Sequence, residues 1–190
     1  MFVASFLLLA AQPIALAAQE APQIEAQPGS DAPIDWEKEF GVEKKVRDPV
    51  TGEFPVDPYA QSPANLGAKP FDSAALARAF GGQPGIRKIT ERTVALSTAD
   101  PRIKAIFAGH DLVRLNRVLF EQVCAILNAG CQYSGRDMKT AHKALGTTRA
   151  DLNALVEHLQ RAMREGGVPF AAQNRLLAKL APMDRNIVER

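Results

Sequence analysis

Three histidines give this chain its most evident capacity for ligand chemistry, since an imidazole can hold a hydrogen bond, move a proton or bind a metal ion. His142 ends the stretch "YSGRDMKTAH", which continues as "KALG". On a helix, Met138, Ala141 and Leu145 would share its face, so the ring would point towards the core. A buried neutral ring needs a partner for each of its polar nitrogens. For a lone histidine, the expected partner is a backbone carbonyl group.

The other residues that could do chemistry form no catalytic set. His110 lies in "FAGHDL", a loop or a helix entrance. His158 flanks an apolar stripe of Leu152, Leu155 and Leu159, where a half-exposed structural histidine is expected. The sequence has no nucleophile beside a base, no phosphate-binding loop and no Cys/His spacing typical of zinc. His142 is therefore the position that needs an explanation.

The elements that would position His142 are helical in pattern. Residues 71–190 show no strand-length alternation and suffice for one domain with one core. They predict an all-α domain with four substantial helices and two short ones. A Thr148-x-x-Asp151 pattern predicts a capping box at the start of one long helix. The helical segments are "FDSAALARAF", "GIRKITERTVALS", "LVRLNRVLFEQVCAIL", the short His142 segment, "TRADLNALVEHLQRAMREG" and the segment that Pro169 opens.

The first residues, "MFVASFLLLAAQPIALA", predict a signal peptide over residues 1–17. The closing Ala-Leu-Ala suits a signal peptidase, although no Lys or Arg precedes Lys38. The uninterrupted apolar run is shorter than the roughly 20 residues that span a bilayer, so no stable membrane insertion is expected after cleavage. The mature protein is expected to be periplasmic or secreted.

Residues 18–70 have the composition of a proline-rich, disordered arm or linker. Nine of the 13 prolines precede Phe71, and apolar residues occur singly, so the segment buries too little surface to offset chain entropy. Residues 19–70 carry ten acidic and five basic side chains, a net −5, which leaves +7 for the rest of a chain of net charge +2. This excess is modest beside the basic faces of nucleic-acid binders, so no nucleic-acid partner is expected.

Cys124 and Cys131 are the two cysteines. In a continuous helix they would be about 10.5 Å apart, beyond the separation of about 7 Å that a disulfide tolerates. The break at "NAG" between them makes bridging feasible. An exported protein favours a disulfide over two inert thiols. Such a bond would tie the third helix to the loop that leads to His142.

Four stretches, taken together and in order, resemble the group I truncated globins (truncated haemoglobins of bacterial type), here in an exported variant. They are "LARAFGGQPGIRKI", "ADPRIKAIF", "YSGRDMKTAH" and "GVPFAAQNRLLAKLAP", and the resemblance runs from about residue 71 to residue 188. It implies a two-over-two helical sandwich around haem b (iron protoporphyrin IX). His142 would be the proximal ligand of the iron, and its apolar neighbours would lie against the porphyrin.

The same resemblance implies roles for further positions. Phe107 would pack on the haem edge, Met138 would lie on the proximal side, and Leu152 and Leu155 would form a wall. Cations at the pocket mouth would bind the haem propionates. The candidates by type and region are Arg114, Lys139 and Lys143, and the implied haem contacts as a whole are Phe107, Arg114, Leu115, Leu119, Met138, Lys139, His142, Leu152 and Leu155.

The distal positions depart from the family pattern. Val94, preceded by Thr93, stands where relatives usually have tyrosine, and Leu119, with Leu115 one turn earlier, stands where they often have glutamine. A hydrogen bond to bound dioxygen contributes about 1 to 3 kcal/mol, so without it oxygen should leave faster. A hydroxyl of Thr93 or Thr90 could replace the donor, but in a helix such groups often bond back to the preceding turn. We expect an apolar distal pocket that favours NO or CO over O2.

Three functions follow from these expectations. The first is a haem protein that binds O2, NO or CO or moves electrons, with a reductase or electron-transfer protein as a partner. The second is a globin-like fold that has lost haem and serves as a periplasmic interaction module through its arm. The third is a haem enzyme that consumes NO or peroxide. NO dioxygenation is disfavoured because it depends on retained dioxygen, and ligand binding or electron transfer is favoured over catalysis.

Overall fold

The fold is all-α, as the sequence predicts, and the computed structural model describes residues 39–41 and 45–190. Residues 45–190 form one compact unit, whereas residues 39–41 belong to a separate one. Two short 3-10 helices, Pro63–Leu66 and Ala181–Met183, accompany the α-helices. The α-helices of the compact unit are α1 (Ala75–Ala79), α2 (Gly82–Ala99), α3 (Lys104–Phe107), α4 (Leu112–Ile126), α5 (Met138–His142), α6 (Arg149–Glu165), α7 (Phe170–Leu180) and α8 (Asp184–Ile187).

The starts of the helices follow local sequence signals. Gly81, with φ 75°, precedes α2, and a Cβ on Gly85 would overlap the carbonyl of Phe80, so the tight α1–α2 corner requires glycine there. The capping box between Thr148 and Asp151 at the start of α6 is confirmed, since each side chain bonds to the other residue's backbone N–H. A cap of this kind contributes about 1 kcal/mol and fixes where the helix begins.

Helix α2 lies against both α4 and α6, and α6 also lies against α7, which gives the two-over-two helical sandwich. The core fills the space between these helices. Its fully buried members include Ile86 from α2, Ile126 from α4, Met163 from α6 and Leu176 from α7. Burial of each such side chain stabilises the fold by about 1.5 to 3 kcal/mol, so the pairing of these four helices is strongly determined.

The structure describes residues 45–70 of the arm or linker that was expected over residues 18–70. Residues 45–70 are part of the compact unit and run along α4 and the loop before α5. Glu53 in this segment is only 7% exposed and pairs with Arg114 and Arg117. Polar contacts of this kind are invisible to an argument based on apolar surface, which is why composition suggested a disordered arm. The rest of the expected arm, residues 18–38 and 42–44, lies outside the described residues.

The expected signal peptide, residues 1–17, also lies outside the described residues. Within the part of the chain that the structure describes, none of the helices is both long and apolar enough to cross a bilayer.

The disulfide between Cys124 and Cys131 is present, with a Cα–Cα distance of 5.6 Å. The helix ends at Ile126, and the turn passes through Asn128 (φ 55°) and Gly130 (φ 85°), both in the left-handed region. This reversal brings the two cysteines within bonding distance, as the "NAG" break suggested. The bond therefore ties the end of α4 to the loop that leads to α5.

Candidate functional site

A cavity of about 640 Å³ lies between α2, α4, α5 and α6 and is lined mainly by aliphatic side chains. Its volume and apolar character are typical of a site for a cofactor or a small-molecule ligand. Most side chains that the sequence assigned to the haem site line this cavity, and Lys139 and Lys143 do not. Those that line it are Thr93, Val94, Phe107, Arg114, Leu115, Leu119, Met138, His142, Leu152 and Leu155.

His142 is the last residue of α5, a short helix that the Asp137 side chain caps by accepting a hydrogen bond from the backbone N–H of Thr140 at 3.0 Å. Its Nδ1 lies 2.8 Å from the carbonyl oxygen of Met138. Because a carbonyl only accepts, Nδ1 donates this hydrogen bond, so in the neutral ring Nε2 is the nitrogen that carries the lone pair. No residue in the described part of the chain bonds to Nε2. An imidazole oriented through Nδ1 with Nε2 available has the arrangement typical of a metal ligand.

The motif before His142 forms a compact loop. The ring of Tyr133 packs so closely over Gly135 that a Cβ there would overlap it, which explains the Tyr-x-Gly spacing. The Tyr133 hydroxyl donates to the carbonyl of Arg136 at 2.8 Å, and burial raises its pKa to about 12. Tyr133 therefore lines the cavity as a neutral phenol.

The hydroxyl groups on α2 are engaged within their own helix. Thr93 donates to the carbonyl of Ile89 at 2.8 Å, and Thr90 donates to that of Arg87 at 3.0 Å. Both threonines line the cavity, but their protons are directed to the preceding turn, as sequence reasoning anticipated. Val94 lies beside them on the same wall.

Gln122 is a polar lining residue that sequence reasoning missed. It lies one turn beyond Leu119 on the same stripe of α4, and that periodicity was the available signal. Its amide nitrogen lies 3.2 Å from the carbonyl oxygen of Leu66 and 3.3 Å from the sulfur of Met138. Two neighbours thus take both amide hydrogens.

The basic residues at the cavity differ in part from those expected. Lys139 and Lys143 are exposed, and neither lines the cavity. Arg114 does line it, and Arg136, within the "YSGRDM" motif, takes the place expected for a lysine. Lys139 faces outwards on α5, whereas Arg136 precedes the helix in the loop. His110 is exposed in the α3–α4 loop and lies on the rim of the cavity.

Arg114 is held by two residues from the N-terminal segment. Its Nη1 lies 3.1 Å from Oε2 of Glu53, and its Nη2 donates to the hydroxyl of Tyr59 at 2.7 Å. Glu53 also accepts hydrogen bonds from Arg117. The bond from the Arg117 guanidinium holds the pKa of the Glu53 carboxyl below its usual value, so this carboxylate remains charged between the two arginines.

His158, expected to be half exposed, is buried at 8% exposure between α2 and α6. Its Nδ1 lies 3.0 Å from Oγ of Ser97, and its Nε2 lies 3.0 Å from Oδ2 of Asp100. The Ser97 hydroxyl oxygen also lies 2.8 Å from the carbonyl oxygen of Thr93. Hydrogen bonds from Arg102 hold the pKa of Asp100 well below its usual value, so Asp100 accepts from Nε2 as a carboxylate. Both ring nitrogens of His158 are thus satisfied within the protein.

Known proteins share both the sequence and the fold of this region. A sequence model of the bacterial-like globin family matches residues 76–189. Group 1 truncated haemoglobin GlbN of Mycolicibacterium paratuberculosis is 27% identical over 104 residues, which cover 55% of this chain and 76% of the relative. Its namesake from Nostoc commune is 29% identical over 89 residues, which cover 47% of this chain and 75% of the relative.

Solved structures agree with these relatives in fold. Truncated haemoglobin from Tetrahymena pyriformis, in its Fe(III) form, has a TM-score of 0.58 at 20% identity and covers 60% of this chain and 98% of its own. The 2/2 haemoglobin of Synechococcus sp. PCC 7002 has a TM-score of 0.56 at 18% identity with the same coverage. The family match spans more than half of the sequence, and α2 to α8, His142 and every lining residue of the cavity except Val56 lie within the matched region. The chain belongs to the bacterial-like globin family, within which it resembles the group 1 truncated haemoglobins, and this membership implies a haem cofactor.

Proposed function

We propose that the chain binds haem b in the cavity between α2, α4, α5 and α6, with His142 as the axial ligand. The observation that carries this proposal is the state of the His142 ring. It lines an apolar cavity, the Met138 carbonyl fixes its Nδ1, and no described residue bonds to its Nε2. A histidine that served only the core would have a partner on both sides, as His158 has.

The residues present fit haem in three respects. The cavity offers apolar walls, which include Phe107, Leu152 and Leu155, for a flat and largely apolar ring. It offers an imidazole oriented through its second nitrogen. It also offers two guanidinium groups, Arg114 and Arg136, as partners for the carboxylates of the cofactor.

When bound, haem supplies an iron with an open coordination position for O2, NO or CO. The distal wall of this chain contributes aliphatic groups from Val94, Leu115 and Leu119. The nearby threonine hydroxyls donate to carbonyls of α2, and the amide hydrogens of Gln122 are also taken. These residues therefore present no spare proton to a distal ligand, and the site favours NO or CO over O2.

We also propose that the protein is exported to the periplasm or the medium and that it interacts with a reductase or another electron-transfer partner. The disulfide between Cys124 and Cys131 supports export, because such bonds persist mainly in oxidising compartments. The signal-like composition of residues 1–17 agrees with this compartment.

The decisive experiment is the absorption spectrum of the full chain reconstituted with haem, in ferric, ferrous and ferrous-CO states. Wild type should bind haem stoichiometrically with a histidine-ligated spectrum. His142→Ala should lose that spectrum and recover it with added imidazole. His158→Gln, at a histidine that does not line the cavity, is the matched control and should behave as wild type. If wild type takes up no haem, or if His142→Ala leaves the spectrum unchanged, the proposal is wrong, and the first result would favour an interaction module instead.

The rate of oxygen release tests the proposal that the distal wall offers no hydrogen-bond donor to a bound ligand. Val94→Tyr adds a hydroxyl donor to the α2 wall and should slow oxygen dissociation by about tenfold or more. Val94→Phe adds the ring without the donor and is the control. Equal rates in the two variants would mean that the α2 wall does not set oxygen retention.

A further inference from the structure

The segment formed by residues 53–59, named here the strap, lies outside the region that matches the globin family, which begins at residue 76. It nevertheless contributes Val56 to the wall of the cavity. It also places the carboxylate of Glu53 in an almost fully buried position. A linker with no role at the site would not be expected to do either.

On one side, the strap is anchored to α4. The backbone N–H of Phe54 donates to Oδ2 of Asp111 at 2.7 Å. Glu53 pairs with Arg114, and Oε2 of Glu53 also lies 2.9 Å from Nη2 of Arg117. These contacts fix the strap to the first two turns of the helix that carries the distal residues.

On the other side, the strap is anchored to the loop that leads to α5 and His142. The hydroxyl of Tyr59 donates to the carbonyl of Ser134 at 2.6 Å. Nη2 of Arg136 donates to the carbonyl of Asp57 at 3.1 Å, and its guanidinium lies 5.0 Å from the ring centroid of Tyr59. The strap thus bridges the distal helix and the proximal loop, with Val56 between the two anchors facing the cavity.

The charges around the strap balance. Arg47, Arg114, Arg117 and Arg136 carry four positive charges, and Glu53, Asp57, Asp111 and Glu121 carry four negative ones. Arg114 uses two of its five N–H groups on Glu53 and Tyr59 and therefore keeps donors for another anion. The rest of the lining is mainly aliphatic, so a carboxylate-bearing cofactor would direct its carboxylates to this end.

We propose that the strap retains the cofactor: it spans the mouth of the cavity between α4 and the α5 loop and presets Arg114 and Arg136 for the carboxylates of haem. Tyr59 and Glu53 act as positioning residues, since they hold Arg114 in place. The inference rests on the proposed haem site and adds a part of that site that the family region does not supply.

The test is the rate at which haem leaves the full chain for an excess of a haem-scavenging apoglobin. The double variant Glu53→Gln/Tyr59→Phe should release haem about tenfold faster or more, because it weakens two bonds that orient Arg114. Its ferrous spectrum should stay histidine-ligated. Glu165→Gln is the matched control, since Glu165 also pairs with two arginines, Arg92 and Arg161, but away from the cavity. It should release haem at the wild-type rate.

Amide exchange gives a second readout that a purely structural strap would not move. Haem should slow exchange across residues 53–59 in wild type and should slow it less in the double variant. Equal exchange with and without haem, or wild-type release from the double variant, would overturn the proposal while leaving the His142 site intact. A wild type that binds no haem would overturn both proposals, so the two failures are distinguishable.

Discussion

His142 and His158 sit on neighbouring helices of one small domain, yet their surroundings differ in one decisive respect. Polar groups of the fold meet both nitrogens of His158, on Ser97 and on Asp100. For His142 the described residues supply one partner, the carbonyl of Met138. Thus the number of polar partners provided by the protein, more than burial, separates a structural imidazole from one that is available to a ligand.

The difference also separates two tasks within the fold. His158 links the end of α2 to α6 and therefore belongs to the framework of the sandwich. His142 ends a helix of a single turn and is linked to the framework through its own backbone. The two positions should consequently respond in opposite ways to substitution.

The largest expected effect is on the stability of the protein without cofactor. His158→Ala should lower the free energy of unfolding by about 3 kcal/mol, because it removes two buried hydrogen bonds and leaves a cavity. His142→Ala should change it by about 0.5 kcal/mol or less. Urea denaturation of both variants measures the difference, and equal losses would contradict the comparison.

Cofactor retention should show the reverse order. Loss of a group that only positions a metal ligand typically lowers metal affinity or activity 10- to 100-fold. His142→Ala removes the proposed ligand itself, so this variant should release haem roughly 100-fold faster or more. His158→Gln keeps polar atoms between Ser97 and Asp100 and should stay within about threefold of wild type. Transfer of haem to an apoglobin measures both rates. Faster loss from the His158 variant would show that the framework, and not the ligand, limits retention.

The disulfide ties α4 to the loop that leads to His142. Its removal should therefore affect the surroundings of His142 and leave those of His158 unchanged. Cys124→Ser/Cys131→Ser should lower the free energy of unfolding by about 2 to 3 kcal/mol, the loss of stabilisation typical of a short closed loop. Amide exchange should rise in the loop before α5 and remain unchanged around His158. An equal rise at both places would mean that the disulfide stabilises the whole domain rather than the approach to His142.

The smallest expected effect is the pH dependence of the stability contributed by Asp100, the partner of His158. The pKa of Asp100 is lowered in the folded state, so its contribution to stability is full above its unfolded pKa of about 3.9 and disappears as pH falls towards the folded value. Asp100→Asn should therefore destabilise the protein at pH 6 and do so less at pH 3. Urea midpoints at the two pH values test this, and a constant difference would contradict it.

The helices and most of the cavity lining could be predicted from the sequence because they follow local rules. The apolar periodicity of α4 and α6 sets which faces are buried, the Thr148 cap fixes a helix start, and glycine marks the α1–α2 corner. The disulfide could be anticipated because the helix breaks between its cysteines. These features depend on residues that are close together along the chain.

The features that sequence reasoning missed are polar and long-range. The strap is ordered by ion pairs and backbone hydrogen bonds, which leave no apolar pattern. The burial of His158 depends on Ser97, near the end of α2, and on Asp100, which directly follows that helix. Arg136 lines the cavity and Lys139 does not. This difference depends on the residue at which the loop ends and α5 begins, and periodicity does not define that residue.

The strap contacts have a further consequence for the chain entropy that folding must overcome. Glu53 and Arg114 are separated by 61 residues along the chain, and Tyr59 and Ser134 by 75. Ser97 and His158, which join α2 to α6, are also 61 residues apart. Because the entropic cost of closing a loop grows only with the logarithm of its length, docking of the N-terminal segment costs about as much chain entropy as pairing two helices of the sandwich.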